Sequence, residues 1–372
     1  VSTATKRIPL SSPWIDERDE ELVLEVLRSG WLSLGPTGPR FEQLLADAVD
    51  APYCAAVSSG TAGLHLCMRL AGVGPGDEVI TSPYSFVASA NCAIYEGATP
   101  VFADIDPNTF NLDPAAVEAA VTERTKAIVA VDIFGYPCEL DDLRAICDKH
   151  GLALVEDACE ALGATYKGKP LGSQGHPAVW AFYPNKQITT GEGGAVTTGS
   201  EAEHELLISL RNQGRLETSS WLAHGRFGFN YRLDDISAAL GIGQLEKLDR
   251  ILEARSDVAA RYAELLSDVD VELPLADDED HVRSWFVYVV KLPRGVDRDG
   301  VLAKLAAEGV AGAPYLPSIH LQPYMRETFG FREGMFPVSE DTSDRTMAIP
   351  FHARLPLEDQ ERVVEALRLA LG

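Results

Sequence analysis

The chain has 372 residues, 46% hydrophobic and 24% charged, which suits a soluble enzyme built as one large domain plus a smaller one. Its formal charge of −24 opposes phosphate backbones and argues against nucleic acid as a partner, and no apolar stretch approaches the length of a membrane span. Val1–Arg7 leads into no apolar h-region, and the cysteines at 54, 67, 92, 138, 147 and 159 lack CxxC spacing. The expectation is a cytoplasmic protein with buried free thiols and no metal site.

From about residue 50 to 200, short apolar runs alternate with helix-patterned segments. Tyr53–Val57, Glu78–Thr81, Pro100–Ala103, Ala127–Asp132, Leu152–Glu156 and Ala178–Phe182 read as buried strands, bounded by turn residues. Thr61–Leu70, Phe86–Tyr95, Asp113–Val121 and Leu140–His150 read as helices; Asp113-Pro114 is an N-cap followed by proline at the first helical position. This alternation predicts a mainly parallel sheet covered on both faces, with ligands at the carboxyl ends of its strands. Ala195–Thr198 adds a strand and Glu201–Asn212 a helix, and Leu233–Asp257 reads as one long helix with an apolar stripe. Asp277–Asp280 is an acidic surface loop. Beyond it, Trp285–Leu292 reads as a strand, with helices at Arg298–Gly309 and Glu358–Leu371. The division is a large α/β domain over 1–250 and a smaller α+β domain over 251–372, which the N-terminal segment is expected to join.

Two strand ends carry the chemistry. Asp157 closes one apolar run, and Lys186 follows another in Ala181-Phe182-Tyr183-Pro184-Asn185-Lys186, ahead of Gly191-Glu192-Gly193-Gly194. Pyridoxal phosphate (PLP) chemistry needs such a pair: the lysine forms the Schiff base, and the aspartate keeps a proton on the pyridine nitrogen so that the ring accepts electrons. Alone, a lysine after a strand is usually a solvated loop residue. Ser58-Ser59-Gly60-Thr61-Ala62-Gly63 follows a strand and opens a helix, so its free N–H groups and hydroxyls can hold an anion. Gly60 and Thr61 are the candidates for the phosphate, although such a turn can equally be a helix cap that binds nothing. Phe86 opens the next helix at the same end of the sheet, where a ring can stack on the pyridine face. Arg211, Arg215, Arg226 and Arg232 are candidate anion donors in an acidic chain, against ordinary pairing with surface carboxylates.

With these motifs in place, the chain resembles the DegT/StrS-type PLP-dependent nucleotide-sugar aminotransferases, of aspartate aminotransferase fold. The resemblance runs nearly end to end, through Gly30-Trp31-Leu32-Ser33, Ser59-Gly60-Thr61-Ala62, Gly74-Pro75-Gly76-Asp77, Glu156-Asp157-Ala158, Asn185-Lys186 and Gly228-Phe229-Asn230-Tyr231-Arg232. It implies a fold type I PLP-dependent transferase, with a mainly parallel seven-stranded sheet in the large domain. It also implies Lys186 as the Schiff-base residue, Asp157 on the pyridine nitrogen, Phe86 on the ring, and Gly60 and Thr61 on the phosphate. Asn230 would reach the phosphate of the neighbouring subunit in a homodimer. Glu160, where many members carry glutamine against the ring hydroxyl, is similar to the perosamine-synthase-like branch, as is Ile188-Thr189-Thr190-Gly191-Glu192.

One departure stands out. Many members place a phosphate-binding serine five residues before the lysine, and this chain has Ala181; Tyr183 and Asn185 are the candidates to compensate. Pro314–His320 resembles the small-domain segment that closes over substrate, which makes His320, with Ser33, a candidate for substrate hydroxyls, against a structural role for the histidine. The activity implied is glutamate-dependent amination of a nucleotide-linked keto-deoxysugar. Aminocyclitol transamination is the alternative. Sugar deoxygenases of the family carry histidine in place of the lysine, and a non-catalytic regulatory protein would not need Lys186 and Asp157; both residues are present.

Overall fold

The structure is a computed structural model and describes residues 7–216 and 223–372. Val1–Lys6, most of the segment weighed above as a leader, lies outside the described residues.

Two helices open the chain, α1 (Glu17–Ser29) and α2 (Thr37–Ala48). The alternating region follows: β1 (Tyr53–Val57), α3 (Gly60–Leu70), β2 (Glu78–Thr81), α4 (Ala88–Tyr95), β3 (Thr99–Phe102), α5 (Pro114–Ala120), β4 (Thr125–Val131), α6 (Leu140–His150) and β5 (Ala153–Asp157). A small hairpin, β6 (Thr165–Tyr166) and β7 (Lys169–Pro170), precedes β8 (Ala178–Ala181), β9 (Gly194–Thr198) and α7 (Glu201–Arg211). Then come α8 (Asp235–Leu245), α9 (Leu248–Leu265), β10 (His281–Val282), β11 (Tyr288–Lys291), α10 (Arg298–Ala307), β12 (Ala313–Pro314), α11 (Pro323–Phe329), α12 (Pro337–Arg345), β13 (Thr346–Ile349) and α13 (Leu357–Leu371).

Seven strands form the main sheet in the order β1-β9-β8-β5-β4-β2-β3. The β8-β5-β4-β2-β3 pairings are parallel, and β9 runs antiparallel to both β1 and β8. All strands of this sheet except β9 therefore end on one edge, where Val57, Thr81, Phe102, Val131, Asp157 and Ala181 are the last residues. This is the fold predicted from the alternation, because strands buried on both faces read as continuous apolar runs. Two apolar cores cover the two faces, one including Phe41, Ile128, Trp180 and Phe182, the other including Leu64, Val129, Val155 and Val196. A third core, with Tyr262, Tyr288, Val290 and Leu367, lies under the three-stranded sheet β11-β13-β12.

The region expected as one helix over 233–257 is two. Lys247 leaves helical geometry because its buried ammonium is drawn to Asp16 and Asp19, while the Gln244 amide donates to the Trp14 carbonyl at 2.8 Å. α9 then passes from the first core, through Ile251, to the third, through Val258 and Tyr262. The N-terminal segment divides its contacts. Ile8 pairs with Val310 in the third core, whereas α1 and α2 contribute Leu22 and Phe41 to the first. Both helices pack on α8, and α1 is bounded by an Asp16–Asp19 capping box and a left-handed Gly30.

The stretch after β12 is held firmly on the large sheet. Asp104, just past β3, accepts from the amides of Val338 (3.0 Å) and Ser339 (2.9 Å) and from the Ser339 hydroxyl (2.7 Å), so it caps the first turn of α12 from another element. Asp104→Ala leaves those donors without an acceptor and is expected to destabilise the protein by about 1–3 kcal/mol. Urea denaturation against the wild type checks this, with Asp104→Asn keeping part of the loss back.

Candidate active site

Asp157 ends β5 and Lys186 follows β8, its parallel neighbour, so both reach the same edge of the sheet. Asp157 is buried, 6% exposed, and its carboxylate accepts from the Ser89 hydroxyl at 2.7 Å and from the Cys159 amide at 3.4 Å. With its one hydrogen given to Asp157, the Ser89 hydroxyl accepts from the Ser85 hydroxyl at 2.8 Å. The aspartate is thereby fixed to the start of α4.

The Lys186 ammonium lies 3.2 Å from Glu160 Oε1 and 4.1 Å above the centroid of the Phe286 ring, a cation–π contact. The other Glu160 oxygen accepts from the Phe134 amide at 3.0 Å. Gln187, next to the lysine, donates to the Glu160 carbonyl (2.6 Å) and the Ser284 hydroxyl (2.9 Å). Arg255 is buried in α9 and donates to the Lys186 carbonyl at 2.9 Å and the Phe286 carbonyl at 3.1 Å; burial pushes its guanidinium down to about 10. These contacts clamp the lysine loop between the two sheets. Ser89, Phe134, Phe286, Gln187 and Arg255 carry no motif of their own; the three-residue spacing from Phe86, close to one helical turn, is the signal that could have found Ser89.

Gly60 opens α3 after the N-cap Ser59, whose hydroxyl accepts from the Ala62 amide at 3.1 Å. The Gly60 and Thr61 amides lie in the first turn, where an α-helix offers them no acceptor of its own. A Cβ on Gly60 would stand 2.8 Å from both the Ala181 Cβ and the Cys159 sulfur. A Cβ on Gly194 would meet the Ser59 and Gly60 backbone at 2.5–2.6 Å. Two glycines thus let three chain segments converge on one anion-sized turn. Phe86 is 61% exposed, leaving its ring a free face at this edge.

The donor set fits PLP. Phosphate would lie on the first turn of α3, the pyridine nitrogen against Asp157, the ring hydroxyl side toward Glu160, the ring face on Phe86, and the reactive carbon within reach of Lys186.

The other expected residues fall elsewhere. Asn230 is exposed, in a segment whose neighbours pair with the Gly60 turn: the Ser58 amide donates to the Tyr231 carbonyl at 2.8 Å, and Arg232 bridges Val57. Ser33 sits in an exposed bend with Trp31, Leu32 and Leu34, held by Asp235 through the Gly35 and Thr37 amides. His320 is a correction. Its ring is fully buried between Phe102 and Phe336, with Nε2 3.0 Å from Glu340, so it presents no face to a substrate and packs the segment after β12. Asn185 lines a cleft with Leu10, Phe286 and Tyr315, and Tyr183 is exposed; neither is bonded to the Gly60 turn. Among the watched arginines, Arg211 pairs with Glu42 and the Ala56 carbonyl, Arg232 donates to Asn212 at 3.0 Å, and Arg215 and Arg226 line a cleft beside α7.

A parallel-sheet edge that brings together a lysine, a buried aspartate and a glycine-lined helix start defines a fold type I PLP-dependent enzyme. The chain belongs to the DegT/DnrJ/EryC1/StrS aminotransferase family, which matches residues 13–368. It is 38% identical over 367 residues to the GDP-perosamine synthase of Caulobacter vibrioides, covering 97% of each chain. It is 37% identical over 374 residues to the spore coat polysaccharide biosynthesis protein SpsC of Bacillus subtilis, covering 97% of this chain and 96% of SpsC. The PLP form of Spr1654 from Streptococcus pneumoniae superposes with a TM-score of 0.93 and its PMP form with 0.94, each at 28% identity over 98% of both chains. The protein is a PLP-dependent sugar aminotransferase.

Ala181 abuts Gly60, so a hydroxyl on its Cβ would face the first turn of α3. Ala181→Ser is expected to tighten PLP binding about tenfold, the worth of one hydrogen bond to a charged group. Titration of the apo-protein with PLP, followed by absorbance, measures it.

Proposed function

We propose that this protein aminates the keto group of a nucleotide-linked 4-keto-6-deoxyhexose, with L-glutamate as donor, in two half-reactions on one site. The observation that carries the reading is Lys186, held at 3.2 Å by Glu160 beside the buried Asp157 on one sheet edge. Similarity to a GDP-perosamine synthase supports the choice of sugar. PLP, when bound, supplies the electron sink that makes a carbon–hydrogen bond beside nitrogen acidic. Asp157 keeps a proton on the pyridine nitrogen. The Ser89 hydroxyl takes one carboxylate oxygen at 2.7 Å, and the other, engaged by the Cys159 amide at 3.4 Å, is the one to serve the ring. Lys186 takes the proton from the donor's α-carbon at Nζ and returns it across the transfer. Glu160 and the Phe286 ring hold that ammonium in place between the two moves. Gly60 and Thr61 hold the phosphate, and Phe86 the ring face.

Lys186→Ala removes the shuttle but none of the phosphate or pyridine contacts. It is expected to bind PLP and to lose turnover by several orders of magnitude. Product mass and oxoglutarate release across GDP-, UDP- and dTDP-4-keto-6-deoxyhexoses, with a keto-inositol included, decide the substrate. Turnover of the inositol alone assigns the protein to aminocyclitols instead. A site that hydrogen-bonds ring hydroxyls should reject analogues lacking them, because its own polar groups are left unpaired.

The working unit in this proposal is a cytoplasmic homodimer, each chain comprising domains over 1–250 and 251–372, with Asn230 serving the partner's phosphate. Its exposure, and that of Trp31, Leu34, Phe86, Tyr183 and Phe227, suits a surface awaiting a second copy. Mixing Lys186→Ala with Asn230→Ala is expected to restore activity through heterodimers in which one site has both residues intact. Full activity of a monomer by native mass spectrometry overturns the shared site.

A further inference from the structure

His65 lies outside the cofactor pocket, one and a half turns along α3 from Gly60, and is 5% exposed. Its Nε2 lies 2.8 Å from Glu96 Oε1 and its Nδ1 3.0 Å from the Tyr231 hydroxyl. Each partner belongs to another segment of the pocket. Glu96 caps the end of α4, the helix that carries Ser89 and follows Phe86, and its other oxygen accepts from Arg69 at 2.8 Å. Tyr231 follows Asn230. The Phe229 ring lies 4.7 Å from the imidazole and stacks on Tyr231 at 5.0 Å, and Tyr95 closes the other side at 5.2 Å. One imidazole therefore ties together the helix that opens on Gly60, the helix beside Asp157 and the segment that presents Asn230.

The network also fixes the tautomer. A carboxylate only accepts, so Nε2 carries the hydrogen; in the neutral ring Nδ1 is then the acceptor for the Tyr231 hydroxyl. Burial, working against the bond to Glu96, moves the imidazole below its ordinary range and keeps it neutral. Burial raises the Tyr231 phenol, with Tyr95 and Glu96 adding to it, so this hydroxyl stays a donor.

We propose that His65 is a positioning residue for the cofactor, coupling α3, α4 and the 228–232 segment through a donor on one nitrogen and an acceptor on the other. This rests on the PLP reading of the site. The groups facing the ring are Glu96 and Tyr95 of α4 and its cap, Arg69 of α3, and Tyr231 of the returning segment. Protonation at Nδ1 removes the acceptor for Tyr231 while leaving the Glu96 bond. Since the folded-state value is depressed, the neutral link is complete above the ordinary imidazole range and fails as pH falls through the folded value.

The test is PLP titration of the apo-protein as a function of pH, with borohydride trapping at Lys186 first establishing that the wild type binds PLP. Uptake of none by the wild type defeats the underlying reading, not this coupling alone. His65→Phe keeps a ring but neither bond, and Tyr231→Phe loses one hydroxyl; each is expected to weaken PLP about tenfold at neutral pH. The double variant should lose little more than either single one. His65→Gln offers a donor and an acceptor at similar spacing without titrating, so it should bind PLP near wild-type strength and lack the extra weakening at acid pH. Tyr231→Phe, the mildest change, keeps the test valid if His65→Phe fails to fold. Wild-type affinity in Tyr231→Phe, or equal pH dependence in His65→Gln and wild type, overturns the proposal.

Discussion

One carboxylate sets the arrangement on which the rest of the site depends. Glu160 stands three residues past the end of β5, with one oxygen on the Phe134 amide and the other on the Lys186 ammonium. Both partners are largely removed from water, where an unpaired charge costs several kcal/mol. The pair can persist only if the loops that bear it keep their positions, and the structure supplies that constraint. Gln187 reaches the Glu160 carbonyl and Ser284, and Arg255 reaches the carbonyls of Lys186 and Phe286. Residues from the end of β4, the end of β5, the lysine loop, α9 and the approach to β11 are thus fixed by hydrogen bonds that share one purpose. An amide in place of Glu160 could accept from Phe134 but would leave the ammonium without a counter-charge.

The same reasoning explains how a chain of charge −24 can take an anionic cofactor. The long-range field is unfavourable, but it is screened within about 10 Å at moderate salt, and a helix start acts at contact distance. The first turn of α3 contributes N–H groups rather than charged side chains. The space there comes from Gly60 and Gly194, whose missing side chains let β9, the lysine strand and the α3 turn approach. Arg211 is held by Glu42 and a β1 carbonyl.

Much of this was legible in the sequence, for a physical reason. Strands buried on both faces and the helices between them differ in period and in turn residues, so Tyr53–Val57, Glu78–Thr81 and Leu140–His150 occur with the expected bounds. Asp157 and Lys186 could be singled out as candidates because one ends a strand and the other follows one, and local patterning locates strand ends. What could not be read depends on contacts distant in sequence. The break at Lys247 is made by Asp16 and Asp19, more than two hundred residues earlier. Phe286 beneath the lysine, and Ser89 on Asp157, are ordinary core-type residues until the fold brings them there.

His320 shows the converse limit. A histidine in a motif that borders a substrate site looks chemical, yet its surroundings are Phe102, Phe336 and Glu340, and Glu340 also collects the amides of Gly334 and Phe336. The ring packs against Phe102 and Phe336 and shares the Glu340 carboxylate with those two amides. With Asp104 gripping the start of α12 from the large sheet, the stretch from Ile319 to Arg345 is anchored at both its aromatic and its polar contacts. Closure over a substrate by this stretch as a whole would break all of these bonds together, at several kcal/mol. The place of this stretch is therefore set by packing and by paired polar groups on the large sheet, and the histidine belongs to that anchoring.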